Sequence, residues 1–188
     1  MGRDTNYKKD ILVIDIESTC WEKSPPEGQE SEIIEIGYSL LNPTTKTITG
    51  AGRVYIRPIL SAVSEYCFNL TGITQDILEK EGFPIKMAFE ILRHDLDSRH
   101  RLWASYGYYD KRMIDQTCKK YNIKSPLDNS HLNIKALAPL VFGWSKEVGL
   151  DKALMMINIP LEGRHHSGKD DAYNIAKLLG VILERMGV

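Results

Sequence analysis

Acidic side chains stand in three stretches of this sequence that otherwise read as buried. In residues 11–18 (ILVIDIES), Asp15 and Glu17 lie two apart within a β-branched apolar run. On an extended strand both side chains leave by one face, which also carries Ile11 and Val13. Neighbouring carboxylates on such a face cost roughly several kcal/mol unless compensated, and a bound divalent cation would compensate them. The alternative is a strand that stops at Ile14 and leaves both acids in water. The second stretch ends on Asp110, after YGYY. A helix starting near Tyr109 puts Asp110 on the face of Met113, Ile114 and Thr117, while Asp115 falls with Lys111 and Lys119 on the polar side. An acid favoured by the helix dipole is the plainer account of Asp110.

The third stretch, residues 164–172 (RHHSGKDDA), offers two overlapping pairs, His165 with Asp170 and His166 with Asp171. Helix phase groups Asp171 with Ile175, Leu178 and Ile182, and Asp170 with Asn174 and Lys177 on the solvent side. The inward acid is therefore Asp171, with His166 five residues before it. Asp170 reads as a helix-start acid and His165 as an exposed basic neighbour.

Inward carboxylates at strand and helix ends, with one histidine, suit hydrolysis of a phosphodiester. Two Mg²⁺ or Mn²⁺ ions about 3.5–4 Å apart activate water and stabilise the leaving oxygen in such sites. Hard cations take oxygen ligands, so three or four carboxylates serve two ions. An imidazole with a pKa near ~6.5 can take the proton of the attacking water. A mobile Gly-containing loop, residues 166–169, would let His166 approach. The competing account of a loop histidine is a solvated surface residue, and the matched Asp171 is what favours His166.

The elements that must position these groups follow from periodicity. Residues 11–16 read as a strand buried on both faces, and residues 33–41 and 47–56 as two more strands around an NPTTK turn, together a three-stranded meander. Helices are expected over 74–80, 84–97, 110–121, 134–142, 146–157 and 170–186, with a strand at 101–105. The last helix carries Ala172, Ile175, Leu179, Ile182 and Met186 on one stripe. Strands first, then strands alternating with helices, indicate an α/β domain with a mixed sheet.

Composition narrows the class. A chain of 188 residues fits a single domain over 1–188, with residues 1–10 a peripheral polar segment. No stretch is apolar enough to span a bilayer, so no membrane partner is expected. Cys20, Cys67 and Cys118 are widely spaced and odd in number, which argues against a disulfide framework or zinc site and for a cytoplasmic location. The net charge of −1 announces no nucleic-acid partner, so such binding needs a local patch.

The three motifs in order resemble the DEDD 3′–5′ exonucleases of the histidine subtype, DEDDh. They stand here as Asp15-Ile16-Glu17, as Asp110 after ASYGYY with Tyr106 where the family has Trp, and as His166-x4-Asp171. FNLTGITQD at 68–76, Asn133-Ile134-Lys135 and HHSGKDDAYNIA are similar to the branch of histone-mRNA and enhanced-RNAi-type exonucleases. The resemblance implies an RNase H-like fold with a five-stranded mixed sheet flanked by helices. It implies two Mg²⁺ ions, with Mn²⁺ an alternative, held by Asp15, Glu17, Asp110 and Asp171, and His166 as general base. It implies release of 5′-mononucleotides from single-stranded 3′ ends, RNA favoured over DNA, with an inactive binding module as the distant alternative. Ser18, Thr19, Trp21, Thr71 and Gly72 are similar to family parts that embrace the terminal nucleotide. Trp21, Tyr106 and Tyr108 could stack on bases, or simply be buried. Arg164, His165 and Lys169 could contact phosphate, or form a solvated basic loop.

Overall fold

A computed structural model describes residues 9–188. The expected peripheral segment over 1–10 lies, through residue 8, outside the described residues. The described residues open with β1 (Ile11–Ser18), β2 (Ile33–Leu41) and β3 (Ile48–Tyr55), paired antiparallel as the expected meander. Short strands β4 (Trp103–Ser105) and β5 (His131–Asn133) add in parallel on the other edge of β1. The sheet order is β3-β2-β1-β4-β5, a mixed five-stranded sheet.

Both faces of β1 are covered, which is why its residues run apolar without alternation. Leu12, Ile14 and Ile16 pack under α3 (Ile85–Asp95) and α4 (Tyr109–Tyr121), against Phe89, Leu92, Met113 and Ile114. Ile11 and Val13 pack on the opposite face under α5 (Ile134–Phe142), α6 (Leu150–Met156) and α7 (Gly168–Met186). Two short helices, α1 (Glu65–Thr71) and α2 (Gln75–Glu81), close over Ile34 through Cys67 and Leu78. No helix of the described residues is long and apolar enough to cross a membrane.

Several details differ from the sequence reading. β1 continues through both acids to Ser18, so the alternative that it stops at Ile14 does not hold. The helix expected over 146–157 begins only at Leu150, after Gly149. Helix α1 was not foreseen, although Ser64 caps it by accepting from the Cys67 N–H at 3.0 Å. Three-residue β5 carries too short a pattern to read. On α7, Met186 is exposed rather than part of the stripe, and Asn174 is buried rather than solvated. The Asn174 amide bridges the chain at Glu162, accepting from its N–H at 3.0 Å and donating to its carbonyl at 2.8 Å. Two-sided use of a carboxamide makes burial of this polar residue tolerable.

Candidate active site

The apolar face of β1 outlasts its helical cover, and the acids begin there. After Ile11 and Val13 the same face presents Asp15 and then Glu17, which is only 8% exposed. A register shift between Glu17 and Ser18 ends the regular pairing with β2 just beyond the second acid. From the other side, α7 brings Asp171 down onto this face one turn into the helix, in phase with buried Ile175 and Leu178. Carboxylate oxygens of Asp15, Glu17 and Asp171 lie within 4.8 Å of one another.

Asp110 reaches the same place by a different route. Strand β4 ends at Ser105, so the Ile16 N–H has no strand neighbour on that edge. It donates instead to Asp110 Oδ1 at 2.9 Å, from a helix start that is 3% exposed. Buried Met113, Ile114 and Thr117 hold the rest of that helix face, while Lys111 and Asp115 pair in solvent at 3.0 Å. Asp15, Glu17, Asp110 and Asp171 all line one cleft of about 370 Å³.

Crowding and burial set the electrostatics. Burial raises the Asp15 carboxyl well above the usual range, and neighbouring Asp110, Glu17, Asp171 and Glu35 raise it further. The Glu17 carboxyl is pushed up to about 8 by burial and then by Glu35, Asp171 and Asp110. Burial takes Asp110 to about 6, although hydrogen bonds from the Ile16 N–H, its own N–H and Ser105 pull it down. Hard oxygen donors that repel one another in a partly enclosed cleft fit a divalent cation.

Both histidines lie at this centre, which corrects the expectation that His165 is merely an exposed neighbour. His165 Nδ1 lies 3.0 and 3.1 Å from the two Asp171 oxygens. The His166 backbone N–H donates to Asp171 Oδ2 at 2.8 Å, and the two imidazoles stack with centroids 4.0 Å apart. His166 adopts φ 64°, the left-handed conformation that is uncommon for a non-glycine residue. Burial, then the His165 ring, lowers its pKa, so it is neutral near pH 7. The expected mobile loop over 166–169 is also corrected. Gly168 and Lys169 already belong to α7, and their N–H groups donate to Glu35.

The residues expected around the terminal nucleotide divide. Ser18 and Tyr106 line the cleft; Ser18 Oγ lies 2.6 Å from the Tyr109 hydroxyl, and the Tyr106 hydroxyl donates to the Val148 carbonyl at 2.8 Å. Thr19, Trp21, Thr71, Gly72 and Arg164 do not line it. The Thr19 hydroxyl is fully buried and ties Glu30 to Glu32, and Thr71 Oγ1 donates to the Cys67 carbonyl. Arg164 donates to the Asn69 and Leu70 carbonyls and lies against Gly72, which ends α1 at φ 76°. Tyr108 does not line the cleft either: its ring is exposed and lies 5.8 Å from that of His131. Lining residues that sequence reasoning missed include Leu70, Tyr109, Lys135 and Leu150. Tyr109 was legible beside Asp110, whereas Leu150 opens a helix whose start was read four residues early, at 146.

Fold and site together define an RNase H-like nuclease of the DEDDh type. Residues 12–179 match the exonuclease family (RNase_T), and the chain belongs to it. It is 29% identical over 193 residues to the 3′-5′ exonuclease Snipper of Drosophila melanogaster, covering 90% of this chain and 67% of that protein. It is 32% identical over 182 residues to 3′-5′ exoribonuclease 1 of Mus musculus, covering 92% of this chain but about half, 52%, of the mouse protein. The crystal structure of the nuclease domain of 3′hExo, a DEDDh family member bound to rAMP, superposes with a TM-score of 0.81 at 29% identity, covering 97% of this chain and 94% of that one.

Proposed function

We propose that this chain is a 3′–5′ exoribonuclease that releases 5′-mononucleotides from single-stranded 3′ ends, working as one exonuclease domain with Mg²⁺, or Mn²⁺ in its place. The observation that carries this reading is the meeting of Asp15, Glu17 and Asp171 oxygens within 4.8 Å, in one cleft with Asp110 and two histidines. Asp15, Glu17, Asp110 and Asp171 would hold the cations. A bound pair of divalent cations would neutralise the phosphate and lower the pKa of the attacking water. His166, whose pKa is lowered first by burial and then by the His165 ring, would accept that water's proton on its ring. His165 steadies the Asp171 carboxylate through Nδ1. Tyr106 and Ser18 form the wall against which the terminal nucleoside rests. Lys135 lines the same cleft and offers a cation to the next phosphate.

RNA is favoured over DNA because the mouse relative is an exoribonuclease and the superposed nuclease domain carries rAMP. The cytoplasm is the proposed location, from three free cysteines in a chain without disulfides among its described residues. The test is a 5′-labelled single-stranded RNA and its DNA equivalent, incubated with Mg²⁺, Mn²⁺ or EDTA beside Asp15→Ala and His166→Ala. A metal-dependent ladder from the 3′ end, lost in both variants and faster on RNA, is expected. A faster DNA ladder makes the chain a DNA exonuclease, and binding without any ladder makes it a binding module.

A further inference from the structure

Glu35 is a fifth carboxylate at the edge of this cluster, and the proposed reaction gives it no part. It stands opposite Glu17 across the β1–β2 ladder and is 0% exposed. Its two oxygens are turned to the start of α7. Oε2 accepts from the Gly168 N–H at 3.2 Å, and Oε1 accepts from the Lys169 N–H at 3.1 Å while lying 3.2 Å from Arg53 Nη1. Ser167 holds the N-cap position of α7, yet its side chain makes no capping bond and its buried Oγ has no partner among the described residues. The first-turn amides of a nineteen-residue helix are thus capped by an acid 133 positions away in sequence. A carboxylate there meets both the free N–H groups and the positive helix end.

The seat beneath is equally close. Gly37, two residues along the same strand face, lies under Gly168, and a Cβ on Gly37 would sit 1.9 Å from the Gly168 carbonyl carbon. Helix α7 therefore rests on β2 at backbone contact and is pinned there by Glu35. The pinned turn carries the rest of the site: the Ser167 carbonyl accepts from the Asp171 N–H at 2.8 Å, and Asp171 Oδ2 accepts from the His166 N–H at 2.8 Å.

We propose that Glu35 is a positioning residue for the nuclease reaction, capping α7 from the neighbouring strand and so setting Asp171 and His166 against Asp15 and Glu17. This rests on the proposed metal-dependent function. Glutamine at this position keeps one acceptor oxygen but turns an NH₂ toward an amide donor, so one of the two bonds is lost. Aspartate keeps the charge and falls short by one methylene.

Three measurements on Glu35→Gln, with Glu35→Asp as a second variant should the first misfold, decide the matter. Mn²⁺ affinity is measured without RNA, kcat and KM are measured against Mn²⁺ concentration, and hydrogen exchange is followed at the His166 amide. The expected result is Mn²⁺ affinity weaker by about 10–100-fold, the size of effect that outer-shell partners of metal ligands have. A matching fall in kcat should be recovered by raising Mn²⁺, with KM for the oligonucleotide unchanged within about twofold of wild type. The His166 amide should exchange faster than in wild type. Unchanged affinity and kcat in a folded variant would reduce Glu35 to a stabilising contact, and loss of one bound Mn²⁺ outright would make it a ligand instead. A wild-type chain that neither binds Mn²⁺ nor cleaves would refute the function, and the exchange rate would still judge the clamp.

Discussion

Asp15, Glu17 and Asp110 are carboxylates that burial opposes, and the proposed function needs them charged around a cation, so the two demands should separate on mutation. Asp15→Asn removes a charge that burial and four acidic neighbours oppose. Activity should fall by at least about 10³-fold, while the metal-free protein melts some degrees higher, since about 1 kcal/mol moves Tm by roughly 2–4 °C at this size. Thermal melts in EDTA beside oligonucleotide assays check both halves. The histidines make the second contrast. His166→Ala removes the proposed base and should cost about 10²–10⁴-fold in kcat. His165→Ala removes the contact to Asp171 and the ring stacked on His166, leaves the proposed base in place, and should cost less, mostly as weaker metal affinity. A reversed order would move the base to His165. Because the pKa of His166 is lowered, the acid limb of the wild-type pH–rate profile should fall below about 6.5, and His166→Ala should flatten it.

At the scale of elements, the site depends on how helix ends are tied down. Helix α1 is tied at its C-terminus by Arg164, which comes from the segment that carries the two histidines. Gly72→Ala meets two obstacles there: φ is 76°, and a Cβ would lie 2.1 Å from Arg164 Nη1. The substitution should cost more than about 1 kcal/mol in urea unfolding. Displacing Arg164 should also disturb the histidine segment, so kcat falls although Gly72 does not line the cleft. An unchanged kcat would show that α1 and the histidine segment are independent. The start of α4 shows the same dependence, since Asp110 replaces the strand partner that short β4 cannot offer to Ile16.

The whole molecule should respond to pH and metal together. The carboxyls of Glu17 and Asp110 sit at about 8 and about 6 in the folded chain, above their ordinary values of 4.5 and 3.8. Between those limits the folded chain holds protons that the unfolded chain has released. Stability from this source is full below the ordinary values and is lost as pH rises through about 6 for Asp110 and about 8 for Glu17. Metal-free protein should therefore lose Tm between about pH 5.5 and pH 8.5. A divalent cation held as proposed would replace those protons, so Mg²⁺ or Mn²⁺ should raise Tm, and more so at the alkaline end. Equal shifts at both ends would count against a carboxylate metal site. Scanning calorimetry with EDTA or metal at the two pH values measures both.

Local signals made much of this protein legible in its sequence. The apolar run before Asp15 marked β1, because a strand covered on both faces admits no alternation. Helix phase separated Asp110 from Asp115 and Asp171 from Asp170, because a 3.6-residue period turns neighbours to different environments. Phase failed at Asn174, whose carboxamide is buried by a partner loop that no periodicity encodes. It failed again at His165, whose Nδ1 meets the Asp171 carboxylate although the residue precedes the helix whose phase was read. Only the tertiary structure decided that β1, α4 and α7 converge on one cleft, and that Glu35 and Gly37 of β2 seat α7 there. The physical reason is one of range. Strand and helix periods are set by the backbone within a few residues, whereas a carboxylate capping a helix 133 positions away becomes visible only once the sheet has brought the two together.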